Sequence, residues 1–301
     1  MDKHFELTDK FIINAFGIKL LQIKCTRKIK HADVGDLGGY IEKEDNLSGD
    51  AWVSGDAWVS GDAKVYGDAK VYGNAQVYGN AQVSGNAQVS GNAQVSGNAK
   101  VSGNAKVYGN AKVYGNAQVY GNAKVYGNAQ VSGDAKVYGD AKVYGNAKVY
   151  GDAKVYGNAQ VYGNAWVCGD AKVSGDAWVS GDAWVSGNAK VYDDAWVCGD
   201  AKVYGDAKVC GDAKVYGNAQ VSGNAKVSNN NEHCGFDCFG SANRHTHAYK
   251  TQSGKVEIIC GCFRGSIEEF EEQVKKTHQG NEFERQYMAI AEVIKIKLGL
   301  K

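Results

Sequence analysis

Gly133-Asp134-Ala135-Lys136-Val137-Tyr138 is followed without a gap by Gly139-Asp140-Ala141-Lys142-Val143-Tyr144, two of thirty consecutive six-residue units running from Gly49 to Ser228. Every unit reads Gly-(Asp/Asn)-Ala-x-Val-(Ser/Tyr/Cys), with Asp193 the single replacement of the glycine. One Val and one Ala per hexad match neither a helical repeat of 3.6 nor a free two-sided strand, but they match a coil of short strands with a corner every six residues. Val points into the coil, and Ala, two residues earlier, points inward near the corner where only a small side chain fits. The x and Ser/Tyr positions flank Val and project outward. The Gly-Asp or Gly-Asn pair marks the corner, because these residue types tolerate the positive φ of a tight bend.

Three hexads make a triangular rung of 18 residues, so the spacing predicts an all-β solenoid, a parallel β-helix of ten rungs and about 48 Å. Residues 18 apart then stack in ladders: Trp178 on Trp196, Trp166 on Trp184, one column of Tyr108, Tyr126, Tyr144 and Tyr162, and another of Tyr120, Tyr138 and Tyr156. All six tryptophans fall on two of the three faces. Trp166, Trp178, Trp184 and Trp196 form the candidate interaction face.

Outside the array the composition is ordinary. Residues 1–46 contain Phe11-Ile12-Ile13 and the apolar run Ile18 to Ile23, and they read as a short N-terminal β cap. Leu47 already holds the inward position of the later valines, so the coil is assigned to residues 47–228. Residues 229–301 predict a small C-terminal α+β module in the order ββαα. Its hairpin sets Thr246–Lys250 against Lys255–Cys260 about a turn at Ser253-Gly254. One helix opens at the capping box Ser266-x-x-Glu269 and carries Ile267, Phe270 and Val274 on one face. A second opens at Asn281, with Glu284 three residues on, and carries Phe283, Tyr287, Ile290 and Ile294.

The formal charge of +1, with lysines offset by aspartates along the array, argues against nucleic acid as a partner. No segment reads as a signal peptide or a membrane span, so no membrane partner and a cytoplasmic location are expected. In that compartment the eight cysteines are thiols or metal ligands rather than disulfides.

The Gly-x-x-Ala-x-Val hexad resembles the hexapeptide-repeat superfamily, on its inward aliphatic residue, its Gly-Asn corner and its small residue four after the aliphatic. That resemblance implies a left-handed coil and brings many acyltransferases and gamma-class carbonic anhydrases into view. Such enzymes place histidines on the coil or on loops leaving it, as catalytic base or metal ligand. Here no histidine lies between His31 and His233 and no loop interrupts the array, so catalytic residues and an organic cofactor are not expected. Taken whole, the chain looks more like a group of uncharacterised phage and prophage proteins with Gly-Asp-Ala-x-Val-Tyr arrays. The residues carrying this are Gly35-Asp36-Leu37-Gly38-Gly39-Tyr40-Ile41-Glu42 with Asn46-Leu47-Ser48 before the repeats, and Cys260-Gly261-Cys262-Phe263, Glu268 to Phe270 and Thr277-His278 after them. It implies a mobile-element origin and a bacterial host cytoplasm, with no activity to carry over.

The tail holds one constellation with chemical content. If the hairpin turns symmetrically about Ser253-Gly254, His247 faces Cys260 and His245 faces Cys262, a zinc-like set of two His and two Cys. Cys234, Cys238, His233 and His278 are further candidates, and buried reduced cysteines with surface histidines are the plain alternative. Cys168, Cys198 and Cys210 stand at outward positions and read as neutral replacements of Ser or Tyr. Ranked threonines of an ice-binding face and the nonapeptide of a calcium β-roll are both absent from the array. The reading is a non-catalytic solenoid scaffold or protein-interaction module with a host protein as partner and a homo-oligomer, trimer or dimer, as its assembly. The alternative is an acyltransferase-like enzyme with its site at a subunit junction or in the His/Cys-rich tail.

Overall fold

A computed structural model describes residues 3–300, which fall into two compact units, Met1–Gly163 and Asn164–Lys301. In the first unit, strands Phe5–Ile13 and Lys19–Cys25 form an antiparallel hairpin, and Leu37–Ile41 pairs antiparallel with the second of them. The other edge of Leu37–Ile41 runs parallel to Trp58–Val59, with Tyr40 beside Trp58 and Ile41 beside Val59. This strand converts a hairpin into a coil. Leu47 bridges in parallel to Val65, as its spacing predicts, and Ile41 takes the inward position one hexad earlier still. Gly39 is required at the junction, since a Cβ there would lie 2.4 Å from the Ala57 carbonyl oxygen.

Nineteen two-residue strands follow in this unit, from Trp52–Val53 to Gln160–Val161. Within the unit, strands 18 residues apart pair in parallel, for example Lys106 with Lys124 and Val107 with Val125. Three backbone bonds per hexad join successive turns: Asn122 N–H to the Gly139 carbonyl at 2.9 Å, Lys124 N–H to Ala141 at 2.9 Å, and Tyr126 N–H to Val143 at 3.0 Å. The valines and alanines lining this coil are fully buried, which confirms the inward assignment. Tyr108, Tyr126, Tyr144 and Tyr162 stack face to face at 4.9 Å, and Tyr120, Tyr138 and Tyr156 at 4.9 and 5.0 Å. Stacks of this kind contribute about 0.5–1.5 kcal/mol per pair beyond area burial.

The corner differs from the sequence reading in one respect. Glycine alone takes the left-handed conformation, and the Asp or Asn that follows it does not. That second residue serves a ladder instead. Asn104 Nδ2 donates to Asn122 Oδ1 at 3.1 Å, and Asn122 Nδ2 donates to Asp140 Oδ1 at 3.0 Å. Glycine is held by both conformation and space: Gly121 has φ +71°, and a Cβ on it would lie 3.0 Å from Gly139 N. Gly121→Ala is therefore expected to cost about 1–3 kcal/mol, whereas Asn122→Ala, losing exposed ladder bonds, costs about 0.5 kcal/mol. Urea denaturation of the two variants beside the parent measures both.

The second unit carries eleven further strands of the coil, Trp166–Val167 to Lys226–Val227. Trp178 and Trp196 stack with rings 4.8 Å apart and nearly parallel. Trp166 and Trp184 stand in register but meet edge to face at 5.9 Å, because the Trp184 indole N–H turns to donate to Cys168 Sγ at 3.1 Å. Cys168 and Cys210, at the hexad position otherwise held by Ser or Tyr, are buried, as Ser60 and Ser222 are at that position, and Cys198 is partly buried. Asp193 adopts φ 59°, in the range of the glycines it replaces, and its carboxylate accepts from Gly211 N–H at 3.3 Å.

The tail of this unit has the expected antiparallel hairpin and two helices, and one further strand on each side of the hairpin makes the sheet four-stranded. The strands are His233–Phe239, Arg244–Lys250, Val256–Cys260 and Phe263–Gly265, in that spatial order. The two strands missing from the sequence reading are a Cys- and Gly-bearing segment without apolar alternation and a three-residue piece. Helix α1, Ile267–His278, has the expected capping box between Ser266 and Glu269. Helix α2, Glu282–Leu298, is capped by Asn281, which accepts from Phe283 and Glu284 N–H, and Glu284 reaches back to Gly280 N–H instead of Asn281. Ala248, Ile258 and Cys260 of the sheet pack with Ile267, Phe270, Val274, Tyr287, Ile290 and Ile294 of the helices. The opposite sheet face meets the end of the coil, where Tyr249 Oη bonds Ser222 and Gln252 N–H donates to the Asn224 carbonyl.

Candidate functional site in the tail sheet

The hairpin that decides the site turns about Ser253, closed by Thr251 N–H donating to the Lys255 carbonyl at 2.8 Å. Thr246 therefore faces Cys260, and His247 faces Ile259. This is one residue away from the register that would place His247 opposite Cys260, and a one-residue slip sends a side chain to the other face. Cys260 lies buried among the helices, where it accepts from Thr246 Oγ1 at 3.2 Å. Cys262 is exposed in the turn before Phe263. The two histidines and two cysteines do not share a face. Cys238 is exposed, Cys234 packs against the helical core with its thiol pushed up to about 11 by burial, and the His278 ring stacks on Tyr287. Among the described residues, no three His, Cys, Asp or Glu side chains are grouped so as to hold a metal ion.

What the fold does bring together is His233, His245, His247 and Asp237, on the sheet face that meets the coil. Alternation along Arg244–Lys250 puts His245, His247 and Tyr249 on this face, and the neighbouring strand adds His233, opposite Tyr249, with Gly235 opposite His247. His247 is 1% exposed, and one ring nitrogen, Nδ1, lies 2.7 Å from the Gln220 carbonyl oxygen of the last turns of the coil. An oxygen acceptor at that distance requires Nδ1 to carry the proton, which leaves Nε2 of neutral His247 an acceptor. His233 Nδ1, 3.1 Å away, must then donate to it. His245 Nδ1 in turn donates to Asp237 Oδ1 at 2.6 Å.

By this accounting two imidazole nitrogens are left over. His233 Nε2 and His245 Nε2 are buried and make no hydrogen bond. Both residues line a cleft of about 470 Å3, together with Lys214, Lys297, Asp237 and the rim residue Tyr216. Burial holds His233 below the usual histidine range, partly resisted by the Lys214 carbonyl and reinforced by the Lys297 charge. The His245 bond holds Asp237 below the usual carboxylate range. Sequence reasoning reached the histidines through the His-x-His pair but passed over Asp237. The repeat carried no signal for it: Asn218 Nδ2 donates to Asp237 Oδ1 at 3.3 Å, but Asp237 lies 19 residues on, one beyond the position the 18-residue column marks.

The second set of candidate residues is the tryptophan face. Trp52 and Trp58 of the first unit are 2% and 6% exposed; His4 lies beside Trp52, and Phe16 and Tyr78 lie beside Trp58. Trp166, Trp184 and Trp196 of the second unit stay 38%, 41% and 40% exposed, and Trp178 is half-buried. Lys214 Nζ lies 5.1 Å from the Trp196 ring centre, one rung away.

An 18-residue parallel register, a Val/Ala lining and a glycine corner every sixth residue define the array as a hexapeptide-repeat β-solenoid. The YdcK Beta solenoid repeat matches it at residues 75–91, 81–97, 117–133 and 153–169. Among solved structures, the chain is similar to the UDP-N-acetylglucosamine acyltransferase of Arabidopsis, with 10% identity, a TM-score of 0.33, and coverage of 87% of this chain and 92% of that one. No curated protein matches the sequence. No helix among the described residues is long and apolar enough to cross a membrane.

Proposed function

We propose that the chain is a non-catalytic β-solenoid scaffold of phage or prophage type that engages a protein of the bacterial host through the tryptophan face of its second unit. The observation that carries this reading is the exposure of Trp166, Trp184 and Trp196, at about two-fifths each, on a coil that repeats without an inserted loop. Large aromatics dominate the binding energy of protein interfaces, and here they stand in two ring pairs on two faces of the coil, Trp166 with Trp184 and Trp178 with Trp196. A phage origin rests on the resemblance of the Gly35–Glu42 and Cys260–Phe263 segments. A homo-oligomer is compatible with the flat faces of the coil. The test is affinity capture from host cells with the parent chain and a Trp166→Ser/Trp184→Ser/Trp196→Ser variant of matched circular dichroism. A partner held by the parent and lost by the variant supports the proposal; identical capture by both overturns it.

One observation favours an enzymatic second reading. His245 donates Nδ1–H to Asp237, which leaves a basic Nε2 toward the cleft, as a general base requires. Turnover of an acyl-coenzyme A donor that disappears in His245→Asn would establish that reading in place of the scaffold.

A further inference from the structure

We propose that the cleft between the tail sheet and the end of the coil binds the phosphate group of a small phosphorylated molecule, taking up a proton as it does so. Two buried imidazole nitrogens in the cleft have no hydrogen-bond partner. His233 is 8% exposed, and its Nε2 is fixed as a lone pair by the chain of bonds through His247 to the Gln220 carbonyl. His245 Nε2 is left bare in the same way by Asp237. A buried acceptor without a donor costs about 1–3 kcal/mol, so two in one cleft mark a place built for something else.

Protonation of each Nε2 creates an N–H donor, and an oxyanion is the group that stabilises both the new charge and the new donors. The surroundings favour an anion over a cation. Lys214, its ammonium beside the Trp196 ring, and Lys297, which donates to Asn231 Oδ1, line the cleft as two cations, and the one carboxylate, Asp237, is engaged by His245 and Asn218. The other titratable side chains on the cleft leave this balance unchanged: Tyr216 stands at the rim, and the Cys234 thiol is kept protonated by burial. His247 does not take part in the proton uptake, since both of its nitrogens are committed within the protein. A volume of about 470 Å3 lies within the range of small-molecule sites and far exceeds a bare phosphate, so the phosphate arrives attached to a larger body. This site adjoins Trp196 through Lys214, which lines the cleft and lies 5.1 Å from that ring, but it does not depend on the scaffold reading.

Isothermal titration of the full chain with glycerol 3-phosphate and with inorganic phosphate, in two buffers of different ionisation enthalpy, tests the idea. Binding is expected to tighten about tenfold between about pH 8 and about pH 6, with net proton uptake. His233→Asn and His245→Asn are each expected to weaken it about tenfold, His233→Asn also reducing the uptake, and Lys297→Met to weaken it while leaving the uptake in place. Binding of the ester above free phosphate identifies a phosphorylated small molecule, and the reverse order identifies phosphate itself; either supports an oxyanion site. Absence of saturable heat at both pH values, or affinity unchanged in the two histidine variants and in Lys297→Met, overturns the proposal.

Discussion

Val143→Asp unfolds the coil of the first unit at a temperature far below that of the parent, whereas Lys142→Gln leaves the melting temperature where it was. The two residues are neighbours on one two-residue strand, and the difference between them is the direction of the side chain. Val143 is fully buried, with Val125 and Val161 in register on either side of it. A carboxylate there loses the apolar contact of both neighbours and finds only valine and alanine around it, a cost of about 4 kcal/mol or more. Lys142 sits at the outward position, one of a column whose members are Lys or Gln at this part of the face. Its replacement changes a half-buried side chain whose charge stays at the surface and contributes within about 0.5 kcal/mol. In a stacked repeat the damage at one rung also removes the ladder partners of the next, so the loss spreads along the coil. Thermal denaturation followed by circular dichroism decides the matter, and equal midpoints for the two variants would refute the inward lining.

The coil was legible because a six-residue period that fits neither a helix nor a two-sided strand is repeated thirty times. Each ladder expected from the 18-residue spacing is present in register, down to Tyr120 on Tyr138 and Trp178 on Trp196. Where the reading slipped, the deciding contact was not periodic. The Trp184 ring turned because Cys168 stands beside it, a pairing of one unusual residue with another that a repeat average hides. The corner Asn residues carry side-chain ladders, yet composition alone cannot separate tolerance of positive φ from a carboxamide bond 18 residues on.

The tail was legible in its helices and not in its sheet register. Ser266-x-x-Glu269 and the Phe270/Val274 stripe are local signals, and α1 forms where they place it. The hairpin register depends on a five-residue turn, Thr251 to Lys255, whose centre differs by half a residue from the Ser253-Gly254 midpoint. That half residue moves Cys260 from the histidine face into the helical core and replaces a zinc-like set with a histidine cluster around Asp237. No alternation of apolar residues in His233–Phe239 announces the strand that supplies two of those four side chains.

Acid is expected to loosen the tail through His247 before it affects the coil of the first unit. Burial drives the His247 ring down to about 3, opposed in part by the Gln220 carbonyl and helped by the neighbouring His233 and His245. The folded state therefore holds this imidazole neutral while the unfolded chain, near the ordinary value of 6.5, binds a proton. Between those two values the unfolded state carries more protons, so stability rises with pH: it is fully present above about 6.5 and is lost as pH falls toward about 3. Geometry gives the same sign. A second proton on His247 would sit on Nε2, directly facing the N–H of His233, with the Gln220 carbonyl already accepting on the other side. A shift of this size corresponds to about 5 kcal/mol at the lower end of the window. His247→Asn keeps a donor for the Gln220 carbonyl and removes the titration, so its stability is lower at neutral pH but flatter below about pH 6.5. Guanidinium unfolding at several pH values, read by hydrogen exchange in Arg244–Lys250 and in the Val125 strand separately, measures the difference. A parent and variant that lose stability in parallel as pH falls would show that His247 is not the group responsible.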